Sequence, residues 1–444
     1  MPEYLREFVR ILSKLVNFKT LAINHDECER AVLYLEEILR EYGFRTEILR
    51  HPDGNPVILA SVNGVSDKSL LFYNHYDVQP VEPLEEWKSD PFTLKEDNGF
   101  LYGRGVGDNK GNIVSRILAV KQVIEEEGKL PYGVKFVIEG EEEAGSPHLL
   151  EMLQQRKEFF RDVVGVIWEF GGFGRDDSIA LILGLKGILY VELEAKRLKR
   201  DAHSSLAVIL PSAAWDLIRF LYELKMDNLE QIKSFHEGII DVKKIVHEIE
   251  NEGYELAFDP NGLKEEFGIK EFINNLSGRE ALFAYFGNPT FNIDGFITGY
   301  TGPGSKTVLP AKASVKIDFR LVPNQDPMKI ARELSEYAKK RDIECRIHSM
   351  TEPAYTDFRN PFIQKLIKIL TKMGEKIRIS PWSPASGPMH IFTKYFGLPA
   401  VAGIGVSYWG SRHHAPNENI RLKDVERTIR ILKNILRNKD IVES

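Results

Sequence analysis

Four apolar runs in this sequence each stop at an acidic residue or a histidine, and no other feature limits the possible fold so tightly. "SLLFYNHYDV" runs through Leu70, Leu71 and Phe72 and then presents His75 and Asp77; "VKFVIEGEEEAGS" runs through Val134, Phe136 and Ile138 into Glu139, Glu141, Glu142 and Glu143. "VVGVIWEFGG" ends in Glu169, and "LPAVAGIGVSYWGSRHHAPNE" passes Val401 and Ile404 on its way to His413 and His414. Short stretches rich in β-branched and aromatic residues read as buried strands. In open α/β sheets the reactive groups gather at the carboxyl ends of such strands. A fifth segment, "LYGRGVGDNKGNIVSRILAVKQVI", sets Asp108 in a glycine-rich turn at the start of a predicted helix. The pattern predicts an α/β domain whose sheet carries a crowd of ligands at one end.

Any metal there must be held by nitrogen and oxygen, because the only cysteines, Cys28 and Cys345, stand far apart in no paired motif. Imidazoles with carboxylates suit a dinuclear site for two divalent ions, zinc first, with cobalt or manganese as alternatives. Such ions lie roughly 3.5–4 Å apart and share a carboxylate. Asp108 is the natural bridge, since a short side chain on a tight glycine turn lets the backbone approach both ions. His75 and Asp77 are two apart on a strand and point to the same side, so Asp77 is placed to buttress the imidazole. Glu142 and Glu143 face different ways, so one binds metal while the other acts as a base on the attacking water. For Glu139 and Glu141 the expectation is a solvated or helix-capping role.

From about residue 186 to 352 the order of elements changes. Strand "GILYVELEAK", helix "SAAWDLIRFLYEL", strands "NIDGFITGY" and "ASVKIDFRLV", helix "PMKIARELSEYAKK" and strand "IECRIHS" spell β-α-β-β-α-β, a ferredoxin-like unit. This predicts a catalytic domain in two parts, residues 1–185 and 353–444, around an inserted α+β unit, with a charged helical insertion near 226–285 inside it. In "KASVKIDFRLVP" Val315, Ile317, Phe319 and Leu321 alternate with Lys316, Asp318 and Arg320. Arg320 therefore points outward, either to clamp a carboxylate or to make a surface ion pair.

A net charge of −6 argues against nucleic acid or anionic lipid as partner. No run approaches the roughly 18 apolar residues of a membrane span. In "MPEYLREFVRILSKLVNF", Leu5, Phe8, Val9, Leu12, Leu15 and Val16 share a helical face broken by Arg6, Glu7, Arg10 and Lys14. That is a packing helix rather than a signal peptide, and the expected location is cytoplasmic.

Together "HYDVQP", "EWKSDPF", "LYGRGVGDNKG", "EGEEEAGS", "DAHSS", "VKIDFRLVPNQDP" and "HHAPNE" resemble, in order, the motifs of the dinuclear-metal exopeptidases and amidohydrolases that include carnosinase, aminoacylase, succinyl-diaminopimelate desuccinylase and the glutamate carboxypeptidases. The resemblance implies a catalytic α/β/α domain with a central mixed sheet and an inserted lid that also forms a homodimer. It implies His75, Asp108 and Glu169 around one ion, Asp108, Glu143 and His414 around the other, Glu142 as general base and Asp77 as support for His75. His203 in "DAHSS" resembles the histidine that stabilises the oxyanion, although Ser205 stands where the family has glycine. Arg320 falls near the substrate, and Gly387 in "SPASGPMH" resembles the substrate loop, while reading by itself as a turn. The implied reaction is hydrolysis of an amide or peptide bond in a small substrate with a free carboxylate. A dipeptidase or carboxypeptidase is favoured over an N-acyl amino acid deacylase, although the dipeptidase branch usually has aspartate where Glu169 stands. A metal-binding protein without catalysis is disfavoured by intact Glu142 and His203.

Overall fold

The computed structural model describes residues 1–443. Its largest element is a nine-stranded sheet in which Arg45–Leu49, Val57–Val62, Gly133–Glu139, Ser69–His75, Val163–Phe173, Ala400–Tyr408, Ile179–Ile182, Ile377–Ser380 and Glu255–Leu256 lie side by side in that order. The neighbours from Gly133–Glu139 to Ala400–Tyr408 are parallel, so their carboxyl ends emerge together. Pairing elsewhere is partly antiparallel, and the sheet is mixed as expected.

Pleating sends alternate residues to opposite faces. Leu70 and Phe72 join a core shared with the helices Glu3–Asn17, His25–Glu41, Lys110–Glu127, Pro361–Lys372 and Leu422–Arg437. Leu71 and Tyr73 join another with Leu149, Met152 and Phe392. Both faces are therefore covered, which is why these strands read as continuous apolar runs. The first helix buries Leu5, Phe8, Leu12, Leu15 and Val16, and Ile11 as well, while Val9 is half-buried.

The strand expected to end at Glu169 continues to Phe173. Its pairing with Ser69–His75 stops at Ile167, and its register with Ala400–Tyr408 jumps from Ile167 to Gly171. Glu169 sits in that irregular stretch, where its backbone is free of the regular ladder and the side chain turns toward the strand ends.

A second sheet holds Asn292–Thr298, Lys312–Leu321, Gly187–Lys196 and Ile343–Thr351, all antiparallel and adjacent in that order. The helices Ala213–Met226 and Pro327–Lys339 pack on one face of it. Val315, Ile317, Phe319 and Leu321 are buried there and Arg320 is half-exposed, in agreement with the alternation.

The continuous boundary 186–352 needs correction. Within it, Glu255–Leu256 pairs with Ile377–Ser380 as the ninth strand of the large sheet, and Val242, Ile245, Val246 and Ile249 belong to the large sheet's core. Trp382 Nε1 donates to the carbonyl of Phe286 at 2.7 Å. Residues 242–287 thus cover an edge of the catalytic sheet, whereas Leu229, Ile232 and Phe235 at the start of the insertion pack into the core of the smaller one. The amphipathic helix Val242–Asn251 signals burial, but periodicity carries no information about the partner surface. The chain passes between the two units four times, and at the first and last passages Gly184–Leu185 pairs with Ala354–Tyr355. Ile249 is wholly buried in this arrangement. Ile249→Ala should cost about 2–5 kcal/mol and lower the melting of the catalytic domain as a whole; a separate early transition confined to the insertion would contradict the shared core.

Candidate active site

The ends of the parallel strands bring seven predicted residues into one cluster. Asp108, at the turn before the helix Lys110–Glu127, reaches in two directions: Oδ1 is 3.1 Å from Nε2 of His75 and Oδ2 is 2.9 Å from Nε2 of His414. On the first side Glu169 Oε2 is 3.4 Å from His75 Nε2. On the second Glu143 Oε1 is 3.4 Å from His414 Nε2. Glu142 lies with His75 and Glu169, so its carboxyl faces the first group while that of Glu143 faces the second. The adjacent glutamates thus face different groups, and Glu142 is close enough to His75 and Glu169 to count as a further oxygen donor.

Each flanking carboxylate has one oxygen tied and one unpaired. Gln79 Nε2 donates to Glu143 Oε2 at 2.8 Å, and Trp168 Nε1 donates to Glu169 Oε1 at 3.0 Å. Glu143 Oε1 and Glu169 Oε2 are buried and accept no hydrogen bond. Buried carboxylate oxygens without a partner are costly, and here Glu169 Oε2 points at His75 and Glu143 Oε1 at His414, the two imidazoles that share Asp108. A donor set of this composition and orientation fits two divalent cations.

Electrostatics agree. Burial, and then the neighbouring Glu169 carboxylate, raise Glu142 well above the ordinary carboxyl range. Burial raises Glu169 to about 8. Burial opposes a charged His75, yet Glu169, Asp108 and Asp77 overcome it and hold the ring well above its usual value. The hydrogen bond to Asp108 and the Glu143 carboxylate close by push His414 up to about 10. Acids and imidazoles displaced upward together mark a site short of positive charge.

Asp77 supports more than one neighbour. Its Oδ1 is 3.3 Å from His75 Nδ1, whose nearer contact is the Asp77 carbonyl at 3.1 Å. The carboxylate also accepts the backbone N–H groups of Glu142 at 3.2 Å and Glu143 at 2.9 Å. It therefore fixes the turn that aims the two glutamates apart. Glu139 and Glu141 correct the expectation of solvated residues. Glu139 is buried, accepts from Tyr73 OH at 2.6 Å and Ser146 Oγ at 2.8 Å, and is raised to about 8 by burial. Glu141 is buried and meets His148 Nδ1 at 2.9 Å. His413 turns from the cluster to Ser407 Oγ at 2.8 Å.

Gly387 faces Glu142: a Cβ there would lie 3.1 Å from Glu142 Oε1. Arg320 crosses from the smaller sheet and donates through Nη1 to Ser386 Oγ at 3.0 Å, beside that glycine. His203 is exposed, and its hydrogen bonds are to Ser205 rather than to the cluster. Ser205 N–H donates to Nδ1 at 3.2 Å, which leaves Nε2 as the ring's N–H donor.

Two charged residues outside the predicted set hold the cluster in place. Arg116 is buried and donates to the carbonyls of Tyr73, Trp168, Glu169 and Ile404. Glu418 is buried beneath the Asp108 turn. Arg116 gives no sequence signal beyond a charge on an apolar helix face, whereas Glu418 closes the quoted "HHAPNE" motif.

Residues 71–438 match Peptidase family M20/M25/M40. The chain is 26% identical to the probable di- and tripeptidase DUG2 of Saccharomyces cerevisiae over 97% of its own length and 50% of the yeast protein's, so it spans half of that relative. It is 31% identical to the beta-Ala-His dipeptidase of Rattus norvegicus over 74% of this chain and 70% of that one. An M20 family metallo-carboxypeptidase of Sulfolobus solfataricus superposes with a TM-score of 0.87 and 31% identity, covering 99% of this chain and 100% of its own. With the family match spanning the strands that carry the whole cluster, this chain is a member of the M20/M25/M40 family of metallopeptidases.

Proposed function

We propose that the chain is a two-metal dipeptidase that removes the last residue of small peptides through their free carboxylate. One observation carries this reading: the carboxylate of Asp108 is shared between His75 and His414, with the unpaired oxygens of Glu169 and Glu143 on either side. His75, Asp108 and Glu169 would hold one ion and Asp108, Glu143 and His414 the other. Zinc suits the donors, with cobalt or manganese as alternatives, and the ions would supply Lewis-acid activation of water and of the scissile carbonyl.

The protein's own groups do the rest. Glu142, raised by burial, takes the proton of the attacking water and returns it to the leaving amine. Gly387 leaves room beside it for the peptide. Arg320 offers a guanidinium fork to the terminal carboxylate from the lid side. The names of the yeast and rat relatives support a peptide over an N-acyl amino acid substrate.

His203 lies in the smaller unit, and with Nδ1 engaged by Ser205 its Nε2–H is free to act as a donor to a developing oxyanion. Trp215, Ile218, Tyr222 and Met226 are exposed along one face of the helix Ala213–Met226, and Ile293 and Ile297 are exposed on the edge strand Asn292–Thr298. An apolar helix face beside an unpaired strand suits a two-fold homodimer through this domain, which would serve as lid and dimerisation unit together. His203 then serves the partner's cluster. A cytoplasmic location fits the two free cysteines, and no helix among the described residues is long and apolar enough to cross a membrane.

Glu142→Gln should keep both ions and lose about a hundred- to ten-thousand-fold in dipeptide turnover, while Glu143→Gln should lose metal as well as rate. Equal metal content in the two variants would contradict the division between them. Chelation should abolish turnover of dipeptides, and readdition of zinc, cobalt or manganese should restore it. Mixing His203→Ala with Glu142→Gln subunits should bring back part of the activity, because a mixed dimer then has one intact site; no recovery would place His203 in its own chain's site.

A further inference from the structure

Glu418 gathers almost every free donor of the turn that carries Asp108. Its Oε2 accepts from Arg104 Nη1 at 2.9 Å and from the backbone N–H of Gly105 at 2.9 Å; its Oε1 accepts from the N–H of Gly107 at 2.9 Å and of Asp108 at 3.1 Å. Its own carbonyl accepts from Gly103 N–H at 3.1 Å. The side chain is 0% exposed and that of Arg104 is 1% exposed. Gly105 makes the convergence possible: at φ +83° it turns the successive amides inward, in a region that residues with a Cβ rarely adopt.

Glu418 also belongs to the segment that carries His414. Arg412, His414 and Asn417 in that segment hold φ near +60° (58°, 59° and 63°), conformations that side-chain-bearing residues keep only when their surroundings impose them. The carboxylate therefore ties two loops that are otherwise remote in sequence, and it does so directly behind the Asp108–His414 contact. Arg104 continues the brace by donating through Nη2 to the carbonyl of Pro80, in the segment after His75 and Asp77.

We propose that Glu418, braced by Arg104, is a positioning residue that sets the spacing between Asp108 and His414 and so the affinity of the ion on the His414 side. The proposal rests on the two-ion reading above. Glu418→Gln has nearly the same shape, but its amide nitrogen faces two N–H donors whichever way it is turned, and the charge opposite Arg104 is gone.

Chelator-stripped full-length protein titrated with cobalt(II), followed by visible absorption and direct metal analysis, tests it. The wild type should take two ions per chain. Glu418→Gln should hold the His75-side ion within about threefold of the wild-type affinity and bind the second roughly ten- to a hundredfold more weakly, with an altered cobalt band. Arg104→Lys, which keeps the charge and the amide bonds but cannot reach both Glu418 and Pro80, should show a smaller loss at the same ion and serves if the glutamine variant does not fold. A purely structural role would instead lower the melting of the metal-free variant and leave the affinity of the folded fraction and its cobalt spectrum unchanged. That result, or an equal loss at both ions, overturns the proposal. A wild-type chain that takes one ion or none overturns the two-ion reading, and the clamp with it.

Discussion

The arrangement of the sheet depends on one buried cation. Arg116 lies inside the protein, and its two Nη groups donate to Asn74 Oδ1 and to main-chain carbonyls of three neighbouring strands: Tyr73 in the first, Trp168 and Glu169 in the second, Ile404 in the third. A guanidinium has donors in a rigid planar fork, and burying it without acceptors would be prohibitive. The strand ends must come to it, and where they meet, their next residues are His75, Glu169 and the segment leading to His414. Burial lowers Arg116 to about 9, with the nearby Glu169 working the other way. Geometry and charge are thus coupled: the residue that gathers the strands also lies behind the acidic groups.

Around that centre the candidate residues divide between the two sheets. Every residue able to hold an ion sits on strand ends or tight turns of the large sheet, where Asp77, Gln79, Trp168 and Glu418 fix the side chains from behind. The groups suited to the substrate, Arg320 and His203, sit on the smaller sheet or its loops. Arg320 already touches the Gly387 loop through Ser386, whereas His203 does not reach its own cluster. On the function proposed above, the smaller unit closes over a cluster held fixed on the large sheet.

Much of this was legible because it is local. An apolar run followed by a candidate ligand reports both a strand and what it delivers, so His75, Glu169, the Glu142–Glu143 pair and the His413–His414 pair stand out, while the choice of Glu143 and His414 within those pairs rests on the family resemblance. Glu139 and Glu141 did not stand out, because an acidic run looks solvated until its partners are known; Tyr73 lies on the neighbouring parallel strand, 66 residues away in the chain. The destination of residues 242–287 was hidden for the same reason. Its contribution to the large sheet is the two-residue strand Glu255–Leu256, too short to carry a period, and its helix would suit either core. Glu418 was visible as a letter in a motif, but its work lies in bonds to amides more than 300 positions earlier.

The place of Ala400–Tyr408 in the sheet governs how the molecule is made. This strand lies between Val163–Phe173 and Ile179–Ile182, which are close to each other in sequence but meet only at their tips, at Phe173 and Ile179. A growing chain carries those two partners for more than two hundred residues before the strand that fills the gap is synthesised. Until then the apolar flanks of both stay open, and contacts of such long sequence separation form slowly. The middle of the sheet is therefore among the last parts to close, and the half-built domain exposes these apolar edges for about half of translation. In such a chain, strand order rather than composition sets when the sheet can be completed.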